Sequence, residues 1–105
     1  MLRVCPTDIV RAPAVRVWSL VTEPRELARW SDTRIIEAPE RALDAGDRLL
    51  LGAGAGHRMR VVLDVQEAAA PRRLALRIRL PFAVVNHEVI EIVPLDEHSS
   101  RVTFT

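Results

Sequence analysis

The sequence predicts an α+β protein, a curved antiparallel sheet of about seven strands with two short helices after strand one. Three observations predict it. Ile9 to Trp30 reads as a strand end, a short helix, a break and a second short helix ending in Trp. From Arg34 onward the apolar period changes from helical to two. All connections after that point are short turns, so neighbouring strands run antiparallel.

Leu2 to Val10 is apolar or β-favouring and forms strand one, with Pro6 demoting its first half to an edge or bulge. Pro13 sets a first helical turn, where its missing N–H costs nothing. Val15, Trp18 and Val21, with Val17, form one apolar stripe at helical spacing. Thr22 suits the N-cap of the next helix, and Pro24 its first turn. Leu27 and Trp30 share a face, so the two helices make a V with an apolar inner side.

Arg34 to Ala38 is the next strand, Pro39 to Gly46 a turn region, and Asp47 to Leu51 a strand. Gly52-Ala53-Gly54-Ala55-Gly56 then reads as a flexible hairpin turn. It lies between strands and opens no helix, so it is a poor phosphate loop. Met59 to Gln66 and Leu74 to Leu80 alternate cleanly on either side of an Ala-Pro turn. Pairing Val65 with Leu76 also pairs Leu63 with Ile78 and Val61 with Leu80, and on the other face sets Asp64 against Arg77. Val84 to Val93 and Arg101 to Thr105 complete the sheet, with Ile92 opposite Val102 and Ile90 opposite Phe104. That register puts His87, Val89 and Glu91 toward solvent and Asn86 and Glu88 on the apolar face.

The apolar face is wider than two short helices can cover. The bulk composition limits what covers or fills it. At 105 residues the chain is one domain, and acidic and basic residues nearly balance at 14 and 15, for a net charge of +1. Nucleic acid is therefore not an expected partner. All the cations are Arg, which holds planar two-point hydrogen bonds and suits cross-strand ion pairs. A single cysteine, Cys5, excludes an internal disulfide and is read as a small packing residue. No apolar run reaches membrane-spanning length and the N-terminus lacks a signal pattern, so a cytoplasmic protein is expected.

His57, His87 and His98 are read as a cavity-mouth or surface residue, a solvent-facing residue and a turn residue. Glu37 and Glu40 flank a proline in a loop and are read as solvated. No His or carboxylate pair has a metal spacing, and neither metal nor cofactor is expected. The candidate chemistry lies in Glu88 and Asn86: a carboxyl in an apolar pocket has a raised pKa and can serve as acid or base, with Asn86 as an orienting donor. A one-residue slip in register would send both to solvent instead. Trp30, Met59, Leu63, Ile78 and Ile90 are the candidate ligand-binding residues; simple core packing is the competing reading for Trp30 and Met59.

The order strand–helix–helix–six strands resembles the START-like (helix-grip, SRPBCC) superfamily, in its bacterial polyketide cyclase/dehydrase and lipid-transport branch. The matching pieces are Ala12 to Trp18, Thr22 to Asp32, Gly46-Asp47-Arg48, Pro71 to Leu74, Ile92 to Leu95 and Ser100 to Thr103. The resemblance implies a single START-like domain over residues 1–105, with a cavity for a small hydrophobic or amphipathic ligand. In that family a long helix follows the last strand and closes the cavity. This sequence stops at Thr105. The expectation is that another subunit, as in a homodimer, or a segment outside the sequence covers the open face. Three functions follow: a binding module, a cyclase or dehydratase using Glu88, and a regulatory or assembly module whose concave face takes a partner chain.

Overall fold

The computed structural model describes residues 7–105. In chain order it comprises β1 (Thr7–Val10), α1 (Ala14–Thr22), α2 (Pro24–Trp30), β2 (Arg34–Glu37), β3 (Arg48–Ala53), β4 (Met59–Ala69), β5 (Arg73–Leu80), β6 (Val84–Pro94) and β7 (Ser100–Phe104), with a short 3-10 turn at Ala55–His57 between β3 and β4. The expected strand from Leu2 is described only from Thr7, and Cys5 lies outside the described residues.

All seven strands form one antiparallel sheet in the order β1-β7-β6-β5-β4-β3-β2. The two edges, β1 and β2, are neighbours in sequence but not in space. The helices carry the chain between them, α1 against β6 and α2 against β2. This connection is what lays both helices across one face. Two irregularities bend the sheet: the register shifts between Ile35 and Glu37 in β2, and between Val65 and Glu67 in β4. An extra residue on one strand increases local twist and bends it.

The hairpin registers follow the alternation of the sequence. Val65 opposes Leu76, Leu63 opposes Ile78, and the β4–β5 ladder ends at Val62 opposite Arg79. Ile92 opposes Val102 and Ile90 opposes Phe104. The inward residues Leu49, Leu74 and Ile92 are each 2% exposed or less. Burying one such side chain contributes about 1.5–3 kcal/mol.

The outer face differs from expectation in one pair. Asp64 does stand opposite Arg77, but its ion pairs are with Arg48 at 2.8 Å and Arg79 at 2.9 Å. Arg79 lies diagonally across from Asp64 on the same face, within reach of a long side chain. Arg48, directly opposite on β3, supplies the other guanidinium.

The helices are rotated from the expected stripe. α1 buries Ala14, Val17, Val21 and Thr22, while Val15 is 64% exposed. The sheet selects the face one residue, roughly 100°, around the helix. Thr22 is not the N-cap of α2; Glu23 occupies that position. The Thr22 hydroxyl instead donates to the Trp18 carbonyl at 2.7 Å, and its own carbonyl accepts from the Leu43 N–H at 2.9 Å. Both polar groups are thereby satisfied in a fully buried position. Pro13 sits one position before α1, where its carbonyl accepts from Arg16 and Val17. Pro24 opens α2 as expected.

The glycine segment is more structured than a free turn. β3 continues through Ala53, and the chain then closes tightly enough that a Cβ on Gly52 would collide with the His57 carbonyl oxygen. Gly54, at φ +73°, makes the left-handed turn that follows.

Candidate functional site

The concave face is closed at one end and open at the other. Where α2 ends, the sheet and helix border a half-open cavity of about 310 Å³. Its floor is Leu51, Val61, Leu63, Leu76, Ile78 and Ile90; Ala53 and Phe104 flank it, and Leu27, Trp30, Ser31 and Thr33 form the helix side. Each strand contributes alternate residues, so the period of two builds the apolar floor directly.

Trp30 forms part of the wall, although half exposed. Its indole N–H donates to the Leu20 carbonyl at 2.8 Å, and its ring meets Phe104 edge-on, with centroids 6.4 Å apart and planes at 63°. One bond to α1 and one ring contact to β7 hold it in place. Ser31 and Thr33, on the turn into β2, share a hydrogen bond of 2.9 Å, and the Ser31 hydroxyl also reaches the Leu27 carbonyl at 2.6 Å.

Glu88 supplies the lining's only carboxyl group. It stands on β6 opposite Leu76, between floor residues, and its pKa is raised because burial disfavours the charged form. No cation among the lining residues offsets that desolvation. The arrangement presents one proton-holding group to an otherwise greasy space.

Of the residues singled out in the sequence, Glu88, Trp30, Leu63, Ile78 and Ile90 come together around this cavity. Asn86 opposes Ile78 on the same face but is exposed beyond the lining, one step nearer the β5–β6 turn. Met59 is 42% exposed at the start of β4 and also lies outside the lining. His57 is beside Asp32, Nε2 to Oδ1 3.6 Å; His87 is exposed opposite Arg77, and His98 sits in the β6–β7 turn, where its N–H donates to Asp96. Among the described residues no group of three or more His, Cys, Asp or Glu could hold a metal ion. Phe104, Ser31 and Thr33 were not singled out. Period-two alternation does place Phe104 inward, but only the path of α2 shows that it meets Trp30.

A second, larger depression of about 770 Å³ lies between the start of α2 and the segment following β2. Glu23, Arg25, Glu37, Glu40 and Arg41 line it with Ile35 and Ile36. It is mixed in charge, and Arg41 is committed to Asp47 through two hydrogen bonds of 2.7 and 2.8 Å. Glu37 and Glu40 are exposed there, as expected.

Strand, two helices and six strands curved around an apolar trough define a START-like, helix-grip protein. Over residues 1–105 the chain matches the family described as polyketide cyclase/dehydrase and lipid transport, and it belongs to that family. No curated protein matches the sequence. Solved structures of the same fold are similar to it, three of them as follows. Ms6760 from Mycobacterium smegmatis is 17% identical, with a TM-score of 0.71 over 96% of this chain and 69% of its own. PFC0360w, an HSP90 activator from Plasmodium falciparum, is 14% identical, with a TM-score of 0.73 over 96% of this chain and 69% of its own. DynU16, a protein in the dynemicin biosynthetic locus, is 20% identical, with a TM-score of 0.72 over 97% of this chain and only 36% of its own. At these identities the likeness concerns the fold. Among the described residues no helix is long and apolar enough to cross a membrane.

Proposed function

We propose that this domain binds a small hydrophobic or amphipathic ligand in the trough, with Glu88 as its polar anchor. The observation that carries the reading is the lining itself: apolar on nearly every side, with one carboxyl group whose protonated form burial favours. Binding cavities of this kind are mostly apolar, with few orienting polar groups. Membership of the polyketide cyclase/dehydrase and lipid transport family supports it.

The same geometry supports acid–base chemistry. A carboxyl with a raised pKa holds its proton closer to neutral pH, and can pass it to or take it from a ligand carbon next to a carbonyl. A cyclase or dehydratase needs that step. In this reading Glu88 is the acid/base and Asn86, at the rim, an orienting donor. Neither metal nor cofactor is required, and the protein acts in the cytoplasm.

A second reading has a specific support. A structural neighbour is an HSP90 activator, and here the concave face is open beyond Trp30 and Phe104. In this reading the trough takes up a partner chain, or a second copy of this one, without catalysis.

Titration with medium-chain fatty acids and small aromatic polyketides, followed through tryptophan emission, tests the first reading. Saturable binding that Ile78→Arg abolishes is expected. If emission shows no saturable change with either class, and organic extracts of the purified protein hold no co-purified small molecule, the ligand-binding reading fails. Glu88→Gln then separates the two forms of it: a carrier anchored by Glu88 loses affinity and shows no turnover in either variant, whereas an enzyme loses turnover with affinity kept within a few-fold.

A further inference from the structure

The β5–β6 hairpin ends in a stretch that the trough does not use. Leu80-Pro81-Phe82-Ala83-Val84-Val85 carries no charge. Phe82 is 98% exposed, Val84 47% and Val85 39%. Phe82 and Ala83 both have positive φ, +65° and +60°. Turns of this kind favour Gly, Asn or Asp, because a Cβ is strained there. Asn would be relaxed and hydrophilic in place of Phe82. The chain instead holds an aromatic ring outward at a strained position, where it contributes nothing to the core.

Behind this tip stand cations. Arg60 lies on the convex side of β4 near its tip end, Arg77 on the convex side in the middle of β5, and Arg58 immediately precedes β4. None of the three makes an ion pair among the described residues, whereas Arg48, Arg73 and Arg79 all do. The acidic groups near these cations are already engaged or turned away. Asp64 stands opposite Arg77 but is held by Arg48 and Arg79, Asp32 lies beside His57, and Glu88 is turned into the trough. An uncharged apolar tip with unpaired guanidinium groups behind it is complementary to a surface that is greasy inside and anionic at its boundary.

The cavity lies toward this end. Its lining takes Ala53 from the end of β3, Val61 from near the start of β4, Ile78 from near the end of β5 and Phe104 from the end of β7. The β3–β4 and β5–β6 connections are at that same end.

We propose that the β5–β6 tip docks this domain on an anionic lipid bilayer, Phe82 entering the acyl boundary while Arg58, Arg60 and Arg77 bind lipid phosphates. Docking brings this end of the trough to the membrane surface. It does not depend on what the trough holds, so it stands or falls separately from the ligand-binding reading.

Vesicle flotation tests it, comparing phosphatidylcholine vesicles with vesicles of about one-third phosphatidylserine. The protein is expected to float with the anionic vesicles, less so as salt rises, and weakly or not at all with phosphatidylcholine alone. Phe82→Asn suits the positive φ and keeps the fold, yet should weaken binding roughly ten-fold or more, since one buried aromatic is lost from the lipid contact. The triple change Arg58→Gln, Arg60→Gln, Arg77→Gln leaves the core untouched and should abolish the preference for anionic vesicles. Three results overturn the proposal: no flotation with anionic vesicles, flotation unaltered by Phe82→Asn, or a lipid-free dimer that Phe82→Asn dissolves, which would make the tip a contact between copies.

Discussion

The two ends of the trough have the same kind of floor and different covers. At the end covered by α1, Leu49, Leu74 and Ile92 are sealed to 2% exposure or less. At the end beyond α2, Ile78 and Phe104 are only partly buried and Trp30 is half exposed. Residue type does not separate core from cavity here; the path of the helices does. The difference has a direct energetic consequence. Leu74→Ala should cost about 3 kcal/mol, because a fully enclosed side chain leaves a cavity that its neighbours cannot fill. Ile78→Ala, at the open end, should cost about 1 kcal/mol, since solvent reaches the space it leaves. Urea denaturation of both variants measures the gap. Equal losses would mean that the open end is as well packed in solution as the closed one.

The open end is nonetheless fixed in shape at its margin. Gly52 brings the β3 backbone against the His57 carbonyl, where a methyl group has no room. Gly52→Ala should therefore cost about 2 kcal/mol through backbone displacement. It should also disturb the neighbouring lining residues Leu51 and Ala53, visible as shifted backbone amide resonances. A change confined to residues 52–57 would show that the loop and the trough are mechanically separate.

Most of this architecture was legible in the sequence, and the illegible parts share a cause. Strand register could be read because both faces constrain it at once: Leu63 with Ile78 inside, and Asp64 with Arg77 outside, allow one alignment of β4 on β5. The family resemblance rested on helix starts and turns, which are local, and the match over the whole chain agrees with it. What depended on the third dimension was missed or misplaced. Val15 fits a helical stripe as well as Ala14 does, and only the sheet beneath α1 decides between them. Thr22 has the chemistry of an N-cap, whose hydroxyl would accept from an N–H of the next helix, but α1 extends through it, its hydroxyl donates back to the Trp18 carbonyl, and Glu23 takes the cap position. Among the candidate site residues, alternation put Glu88 on the trough side, where it lines the cavity; it put Asn86 on the same side, but strand parity says nothing of how far along the strand the cavity extends.

Two carboxylates restate the contrast between faces. Asp64, on the convex side, has its pKa lowered, first by the hydrogen bond from Arg48 and also by Arg79. Its folded pKa lies below the unfolded value of about 4, so its contribution is present above that value and lost as pH falls through the folded pKa. Asp64→Asn should cost about 1 kcal/mol at neutral pH, in line with partly exposed pairs, and nothing at the acid end where Asp64 is itself protonated. Stability measured against pH in wild type and variant should therefore converge on acidification. Parallel curves would show that the pairs with Arg48 and Arg79 are too solvated to matter.

Glu88 has the opposite sign and the smallest expected effect. Burial raises its folded pKa, so in the window above the unfolded value of about 4.3 the folded state holds the proton more tightly than the unfolded state does. Stability through this group then falls as pH rises from the unfolded value to the folded one, the reverse of Asp64. Glu88→Gln keeps the shape and removes the charge, so it should be slightly more stable than wild type at neutral pH and should flatten that part of the profile. The carboxyl resonance of Glu88, followed by NMR against pH, should titrate above the ordinary glutamate value. A midpoint at or below that ordinary value would mean that water solvates the trough floor. The open end would then be a wet groove, and Glu88 would have no special standing as a proton donor within it.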